Sequence, residues 1–384
     1  MTERIYLDNS ATTPVAPSVL EAMQPYFDIL YGNASSFHED GRRARKAIDE
    51  SRAIVAEALG ADPGEIVFTS GATESNNLAL VGSFLSDDAK RHVVVSSIEH
   101  DAVLHTAQWL TKRGIELTVV ETDEFGRVDP QAIRDALRDD TLLVSIMAGN
   151  NEIGTIQPID RIAEICREAG VRFHTDAVQA FGKIDLDLMN VDLLSLSAHK
   201  FHGPKGVGVL YVRDGVRLVP LQHGGGHERN RRSGTENVPG IVGLGAAASL
   251  ARSEHAVVSQ RMSAMRQQLI DGVATLPGTR LNGHPTESLP HIANFSFEAI
   301  EGEGLVMKLD EYGVSASTGS ACSSPNLEAS HVLLAIGVPI SMAHGSLRVS
   351  MGRQTTPDEI DRFLEILPRA VEDLRAFSPF KVGE

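Results

Sequence analysis

Short apolar runs alternate with amphipathic stretches between Glu65 and Tyr211. Runs such as Val93-Val94-Val95 and Leu142-Leu143-Val144 are continuously apolar, which is typical of strands buried on both faces. The pattern therefore predicts a mostly parallel, seven-stranded sheet between layers of helices. The predicted strands are 65–70, 92–97, 116–121, 142–147, 171–175, 193–197 and 208–212. The predicted helices between them are 74–84, 102–113, 130–137 and 160–169.

A different pattern follows the last of these strands. Residues 254–276 have the spacing of one long helix, and we expect a domain boundary on or near it. Beyond it lie strand-like runs at 292–297 and 347–350 and a terminal helix, which Thr356-Pro357-Asp358-Glu359 begins as a capping box. The fold class is therefore α/β. The predicted units are a large domain over 14–252 and a smaller α+β domain over 253–384 with 1–13.

Composition excludes several classes of protein. The 384 residues are 42% hydrophobic and 22% charged, which is ordinary for a globular chain and unlike a disordered one. Lys and Arg number 35 against 51 Asp and Glu, and this net charge of −16 argues against direct nucleic-acid binding. Two cysteines indicate a reducing compartment. Without a long apolar run or a signal-peptide pattern, we expect a cytoplasmic protein with no membrane partner.

Candidate chemistry lies where predicted strands end, as ligands do in open α/β sheets. Gly71 permits a tight turn before a helix, whose free N–H groups and the Thr73 hydroxyl could bind a phosphate, although a plain helix cap fits equally. Asp176 could anchor a cofactor, bind a metal or cap a turn. Lys200, between Ser197-Ala198-His199 and a Gly-Pro turn, could act as an amine nucleophile or base.

A phosphate cradle, a strand-end acid and a strand-end lysine together meet the needs of pyridoxal 5'-phosphate. That cofactor requires a lysine Schiff base, an acid beside its pyridinium nitrogen and donors for its phosphate. The histidines of the chain raise the separate question of a metal site. His199, His202, His223 and His227 lack the paired spacing with Cys or carboxylates that zinc sites show, so we expect no metal.

Several segments, in order along the chain, give the sequence its resemblance to a known family. They are Asn33-Ala34-Ser35-Ser36-Phe37-His38, Gly71-Ala72-Thr73-Glu74-Ser75-Asn76-Asn77, Asn150-Asn151-Glu152-Ile153-Gly154, Ser197-Ala198-His199-Lys200 and Arg232-Ser233-Gly234-Thr235-Glu236-Asn237. The sequence resembles the cysteine desulfurases of group I, the NifS/IscS-like branch of the class V aminotransferase family. The resemblance runs from Leu7 to about Arg353 and implies the fold-type I architecture of pyridoxal-phosphate enzymes.

The resemblance implies roles around the cofactor. Lys200 would carry it as a Schiff base, Asp176 would pair with its pyridinium nitrogen and Gln179 with its phenolic oxygen. His100 would stack on the ring and transfer protons, and Asn151 would also contact the cofactor. The residues expected at the phosphate are Ala72, Thr73, Ser197 and His199.

Further implied roles concern the substrate and a second subunit. Arg348 would bind the carboxylate of L-cysteine through two donors, and Asn33 would assist it. Thr235 would reach the phosphate bound by the other subunit, which implies a homodimer. The glycine- and arginine-rich segment 224–232 would approach the neighbouring cofactor in the same way.

The two cysteines lie in different settings. Cys166 falls on an apolar helix face with Ile162 and Ile165, so we expect it in the core. Cys322 lies in a small, polar, proline-containing stretch that predicts a mobile loop over about 315–330. The resemblance makes Cys322 the nucleophile that takes sulfur as a persulfide, although an incidental loop thiol is the simpler interpretation of the residue alone.

The expected enzyme is thus a pyridoxal-phosphate-dependent sulfurtransferase. It would convert L-cysteine into L-alanine and pass the sulfur to an acceptor protein, such as an iron–sulfur scaffold, or to thio-cofactor assembly. Three alternatives stay open: selenocysteine lysis or another class V reaction, a cofactor-free scaffold or sulfur-transfer adaptor, and a plain anion-binding module.

Overall fold

The computed structural model describes residues 4–319 and 329–383. Its strands are β1 (Ile5–Tyr6), β2 (Ile66–Thr69), β3 (His92–Ser96), β4 (Glu116–Val120), β5 (Thr141–Ser145), β6 (Arg172–Asp176), β7 (Leu193–Ser197), β8 (Gly208–Val212), β9 (Thr279–Asn282), β10 (Ile292–Phe297), β11 (Val314–Ser315) and β12 (Ser346–Ser350). Its α-helices are α1 (Pro17–Met23), α2 (Pro25–Asp28), α3 (Glu39–Leu59), α4 (Ala72–Leu85), α5 (Asp101–Thr111), α6 (Pro130–Ala136), α7 (Ile159–Glu168), α8 (Val238–Val273), α9 (Gly302–Glu311), α10 (His331–Ala335), α11 (Ile340–Ala343) and α12 (Pro357–Arg375). Short 3₁₀ turns lie at Pro63–Glu65, Ala198–Lys200 and His227–Asn230.

The central sheet has seven strands in the order β2-β8-β7-β6-β5-β3-β4. β8 runs antiparallel to both of its neighbours, and the other adjacent pairs are parallel. The seven strands predicted from the sequence are all present, each end within two residues of its predicted position. The predicted α/β class with a mostly parallel sheet is confirmed.

Neighbouring side chains of the central strands enter two separate cores. Val94, Val144 and Phe173 pack on one face in a cluster that includes residues of α3, α7 and α8. Val93 and Val95 pack on the other face, against α4 and α5. Because both faces of these inner strands are covered, consecutive positions in them are apolar, which is why runs such as Val93-Val94-Val95 lack alternation.

A second, antiparallel sheet has the order β12-β10-β9. Its core includes Phe295, Phe297 and Leu347 together with residues of α9 and α12. β1 pairs in parallel with β11, and Ile5 and Leu7 enter the same core. The proposed domain limits, 14–252 and 253–384 with 1–13, stay a prediction.

The long helix α8 joins one core of the central sheet to the core of the second sheet. Its first half contributes Ile241 and Leu244 to the core of the central sheet, and its second half contributes Met265 and Leu269 to the other core. The predicted helix at 254–276 is only the second half of this element. Glycines lower the helix propensity of the first half. An added Cβ at Gly243 would lie 2.5 Å from the Met23 sulfur, so tight packing explains why glycine occurs at this position.

None of the helices in the described ranges combines the length and the apolar character that crossing a membrane requires.

Candidate active site

A cavity of about 480 Å³ opens where strands β2, β3, β5, β6 and β7 end. It gathers most of the side chains predicted for the site, although they are far apart in sequence. The predicted residues that line it are Ala72, Thr73, His100, Asn151, Asp176, Gln179, Ser197, His199, Lys200 and Arg348. This placement follows from the topology, because the carboxyl ends of parallel strands meet at one edge of a sheet.

Lys200 ends the short turn that follows β7. Its Nζ donates to the carbonyl oxygens of Ser10 at 2.5 Å and Ala11 at 2.8 Å. The N-terminal segment is fastened nearby, since the Thr13 N–H donates to the His199 carbonyl at 2.9 Å. The amine is therefore held at the cavity by backbone oxygens, a contact that sequence reasoning missed because it joins residues about 190 positions apart.

Asp176 ends β6 with a buried carboxylate that is bound on both oxygens. The Val178 N–H donates to Oδ1 at 3.0 Å, and the Asn76 side-chain amide donates to Oδ2 at 2.7 Å. Asn76 was part of a segment that carried the resemblance, but no role was predicted for it. Since the carboxylate is fixed at the cavity wall, it can pair with a protonated ring nitrogen.

The turn after β2 gives the cavity an anion-binding corner. Gly71 has a φ of 154°, and α4 begins directly after it. A Cβ at Gly208 would lie only 2.7 Å from the Gly71 Cα, so β8 and this turn approach as closely as glycine allows. The start of a 14-residue helix next to Ser197 suits a phosphate group.

His199 lies on the same side and is kept neutral. Burial, and then the charges of Lys200 and Lys205, lowers the pKa of its imidazole to about 4. Its Nδ1 lies 3.1 Å from the Thr12 hydroxyl. In the described part of the chain, no group of three His, Cys, Asp or Glu side chains is arranged to bind a metal ion.

His100 caps the start of α5. Its Nδ1 accepts a hydrogen bond from the Ala102 N–H at 3.0 Å, so the proton of a neutral ring resides on Nε2. The preceding Glu99 is buried, and its Oε1 accepts from the Ser96 hydroxyl at 2.6 Å and the Met147 N–H at 3.0 Å. Burial raises the pKa of Glu99 to about 8, against the opposing effect of those two bonds.

Arg348 extends from β12 to the wall of the cavity. Its Nη2 donates to Asp8 Oδ1 at 2.9 Å and its Nη1 to the Asn151 carbonyl at 3.0 Å. Gln179 is held by a separate network, in which its Nε2 donates to the Ser10 carbonyl at 3.0 Å and its Oε1 lies 3.1 Å from His291 Nε2. No role was predicted from the sequence for Asp8 or His291.

Two predicted residues of the described ranges do not line the cavity. Asn33 is exposed, and its Oδ1 accepts from the Ser35 N–H at 2.9 Å. Thr235 is also exposed and does not line the cavity. Cys322 lies outside the described residues. The prediction for the other cysteine is confirmed, because Cys166 is buried in the core and burial raises its pKa to about 12.

The family model "Aminotransferase class-V" matches residues 5–363. The chain belongs to the class-V aminotransferases. Within this family it is 53% identical to "Cysteine desulfurase IscS" of Methanosarcina thermophila, over 99% of this chain and 95% of that protein. The solved "NIFS-LIKE PROTEIN" is 40% identical with a TM-score of 0.91, covering 97% of this chain and 100% of that one.

A third relative is the solved "SspA in complex with cysteine". It is 39% identical with a TM-score of 0.81, over 92% of this chain and all of that one. These similarities confirm the resemblance to the cysteine desulfurases that the sequence motifs indicated.

Class-V aminotransferases of this kind depend on pyridoxal phosphate. The residues at the cavity fit that cofactor on structural grounds. Asp176 offers a fixed carboxylate, Lys200 an amine at the same cavity, and the Gly71 turn a set of N–H donors. Among the described residues, the buried Asn76 Oδ1 and Ser10 Oγ atoms have no hydrogen-bond partner, so polar groups in this wall are left for a ligand or water.

Proposed function

We propose that the protein is a cysteine desulfurase that takes sulfur from L-cysteine, releases L-alanine and carries the sulfur as a persulfide on Cys322. The observation that carries this proposal is that Lys200, Asp176 and Arg348 line one cavity. An amine, an acid for the cofactor ring and a carboxylate-binding guanidinium are the groups that an α-amino acid reaction on pyridoxal phosphate requires. The cysteine bound in the related SspA structure supports the choice of substrate.

Arg348 and Lys200 define how the substrate would lie. The guanidinium binds the α-carboxylate in a planar, two-donor manner, which fixes the amino acid's orientation. When bound, pyridoxal phosphate supplies an electron sink for negative charge at the substrate Cα. Lys200 Nζ accepts the Cα proton, and the carbonyl oxygens of Ser10 and Ala11 then hold the resulting ammonium.

His100 and the phosphate corner complete the proposed machinery. The His100 ring would lie over the cofactor and use its Nε2 proton in proton transfer, because Nδ1 is occupied by the Ala102 N–H. The Ala72 backbone, Thr73, Ser197 and His199 would hold the phosphate. Gln179 would pair with the phenolic oxygen, Asn151 would also contact the cofactor, and Asn33 would assist Arg348.

Sulfur transfer requires a thiolate, because a neutral thiol is a poor nucleophile. In the proposed step, the Cys322 thiolate forms an S–S bond with the substrate sulfur as the carbon–sulfur bond breaks. The electron pair of the broken bond stays on carbon, which takes a proton to become the methyl group of alanine, and the proton held on Lys200 returns to Cα. The sulfur then passes to an acceptor protein, such as an iron–sulfur scaffold, or to thio-cofactor assembly.

The proposal includes a cytoplasmic homodimer with composite sites. Thr235 is exposed on the single chain, which leaves it accessible to a second copy. Its segment is fixed at the neighbouring residue, since Arg45 donates to the buried Glu236 carboxylate at 2.7 Å. In the homodimer, Thr235 would bind the phosphate in the partner's site.

The experiment compares cofactor loading and product formation in matched variants. Lys200→Ala should lose the near-visible absorption band of bound pyridoxal phosphate, whereas Lys112→Ala, at an exposed lysine, should keep it. Cys322→Ser should bind cofactor normally and form no protein-bound persulfide from L-cysteine. Full persulfide formation in Cys322→Ser would contradict the proposal. Wild-type protein that releases alanine from selenocysteine but not from L-cysteine would favour selenocysteine lysis.

A further inference from the structure

The Arg348 guanidinium has a fixed internal counter-ion, Asp8, to which the reaction assigns no role. Nη2 donates to Asp8 Oδ1 at 2.9 Å, with the two side chains 6% and 22% exposed. The contact joins residues 340 positions apart and is part-buried. A pair in this setting is less screened by solvent than a surface ion pair, so it affects how the cavity attracts charge.

The backbone around Asp8 holds this carboxylate in place. Asp8 forms a parallel bridge with Ser350, two residues beyond Arg348 on β12. The Tyr6 hydroxyl donates to the Asp8 carbonyl at 3.1 Å, and the Asn9 side chain donates to the Ser350 carbonyl at 3.0 Å. The segment that carries the Asp8 carboxylate is therefore hydrogen-bonded to β12, the strand that carries Arg348.

The ion pair leaves part of the guanidinium directed at the substrate space. Arg348 lines the cavity and Asp8 does not. The Arg348 Nε atom is buried and has no hydrogen-bond partner in the described ranges. Because Nε is closed to solvent, contact with a substrate carboxylate is left to the atoms of Arg348 that line the cavity.

The charge balance of the cavity determines which acceptor binds there. Without Asp8, a buried guanidinium would attract any small anion strongly. The other charged groups at the cavity wall include the carboxylates of Asp176 and Glu152 and the amine of Lys200. With Asp8 in place, the pair exerts little net attraction at a distance, so an anion gains affinity only when it contacts the guanidinium directly.

We propose that Asp8 is a positioning and specificity residue for the substrate carboxylate. It holds the Arg348 guanidinium in orientation and weakens the binding of carboxylates that lack an amino group. This inference rests on the proposed function, because it takes an α-amino acid as the substrate. It adds that the site selects a zwitterion through the counter-ion of its own arginine.

The test uses Asp8→Asn in the cofactor-loaded protein, since asparagine keeps the shape and an acceptor oxygen but removes the charge. Calorimetric titration with 3-mercaptopropionate, which has the thiol and carboxylate of cysteine but no amine, should show about tenfold tighter binding to the variant. Cysteamine, which has the amine and no carboxylate, should perturb the cofactor absorption at the same concentration in both proteins. The KM for L-cysteine should change more than kcat.

Asp310→Asn is the matched control, because Asp310 pairs on the exposed surface with Arg4, the residue before β1. It should leave both probes unchanged. Asp8→Glu gives a second test that keeps the charge: it should raise the KM for L-cysteine without tightening 3-mercaptopropionate. Equal affinity of wild type and Asp8→Asn for 3-mercaptopropionate overturns the inference, as does an equal change for cysteamine. Absence of alanine release by the wild-type protein instead overturns the proposed function.

Discussion

Asp176 and Glu99 follow two strands of the same sheet, and their carboxyl groups are bound differently. Asp176 accepts one hydrogen bond on each oxygen, from Val178 and Asn76. Glu99 receives both of its bonds on Oε1, and its Oε2 is buried without a partner in the described part of the chain. The first arrangement suits a carboxylate that faces a cationic ring, and the second suits a protonated acid next to His100.

The state of Glu99 has a measurable effect on stability. Its pKa rises from an ordinary 4.5 to about 8 on burial, so between those values the folded protein holds a proton that the unfolded chain has lost. Its contribution to stability is therefore complete below about pH 4.5 and is lost as the pH rises through 8. The slope is at most about 1.4 kcal/mol per pH unit.

Glu99→Gln should remove this dependence, because glutamine cannot titrate. Urea unfolding of the cofactor-loaded wild type and variant, from pH 5 to pH 9, measures it as the difference between two curves. We expect the wild type to lose stability relative to the variant as the pH rises. Parallel curves over that range would show that Glu99 is ionised in the folded protein.

Single residues were predictable where they follow an unmistakable strand. Lys200, Asp176 and the Gly71 turn were identified in this way, and all three line the cavity. Their hydrogen-bond partners were not identified, since Asn76 and Ser10 reach them only after the chain has folded. A pattern along the sequence holds information about neighbours in the chain and little about partners a hundred residues away.

At the scale of elements, the close approach of β8 to the turn before α4 positions the phosphate corner. A Cβ on Gly208 would lie 2.6 Å from the Leu196 carbonyl oxygen and 2.7 Å from the Gly71 backbone. These neighbours are backbone atoms of adjoining strands and turns, which cannot rotate away as a side chain can. Any added atom must displace the turn that begins α4.

Gly208→Ala should therefore weaken pyridoxal phosphate binding and destabilise the protein by about 1–3 kcal/mol. Gly64→Ala is the control, because a Cβ there has no neighbour within 4 Å and Gly64 needs no positive φ. Cofactor titration and thermal unfolding of both variants check the prediction. Unaltered cofactor affinity in Gly208→Ala would mean that the turn tolerates displacement.

Elements differed in how well the sequence revealed them. The central strands were predictable because burial on both faces demands continuous apolar runs. The helix α3 was missed, since its buried positions include Gly41, Ala44, Ala47 and Ala56, and small residues give a weak periodic signal among many charges. Helix α8 was predicted only over its second half because glycines interrupt the first.

At the scale of the whole molecule, the site is built from segments of both sheets and from the N-terminal segment. Arg348 comes from the second sheet, Lys200 from the central sheet, and the N-terminal segment contacts both. Such pairs could not be predicted, because they depend on how α8 connects the two cores. The proposed homodimer extends this dependence to a second copy through Thr235.

Mixing two variants that each impair cofactor binding tests that composite site. In a dimer of Lys200→Ala and Thr235→Ala chains, the site with an intact Lys200 would receive an intact Thr235 from its partner. We expect that site to bind pyridoxal phosphate as tightly as the wild type, and more tightly than the Thr235→Ala homodimer. If Thr235 served its own chain, co-refolded mixtures would show no such recovery.

The most direct measurement for the whole account is a single turnover with L-cysteine. The cofactor-loaded protein, given less than one equivalent of L-cysteine and no acceptor, should form alanine and protein-bound sulfane sulfur in equal amounts, with the sulfur on Cys322. Alanine without bound sulfur, or sulfur located on Cys166, would contradict the account.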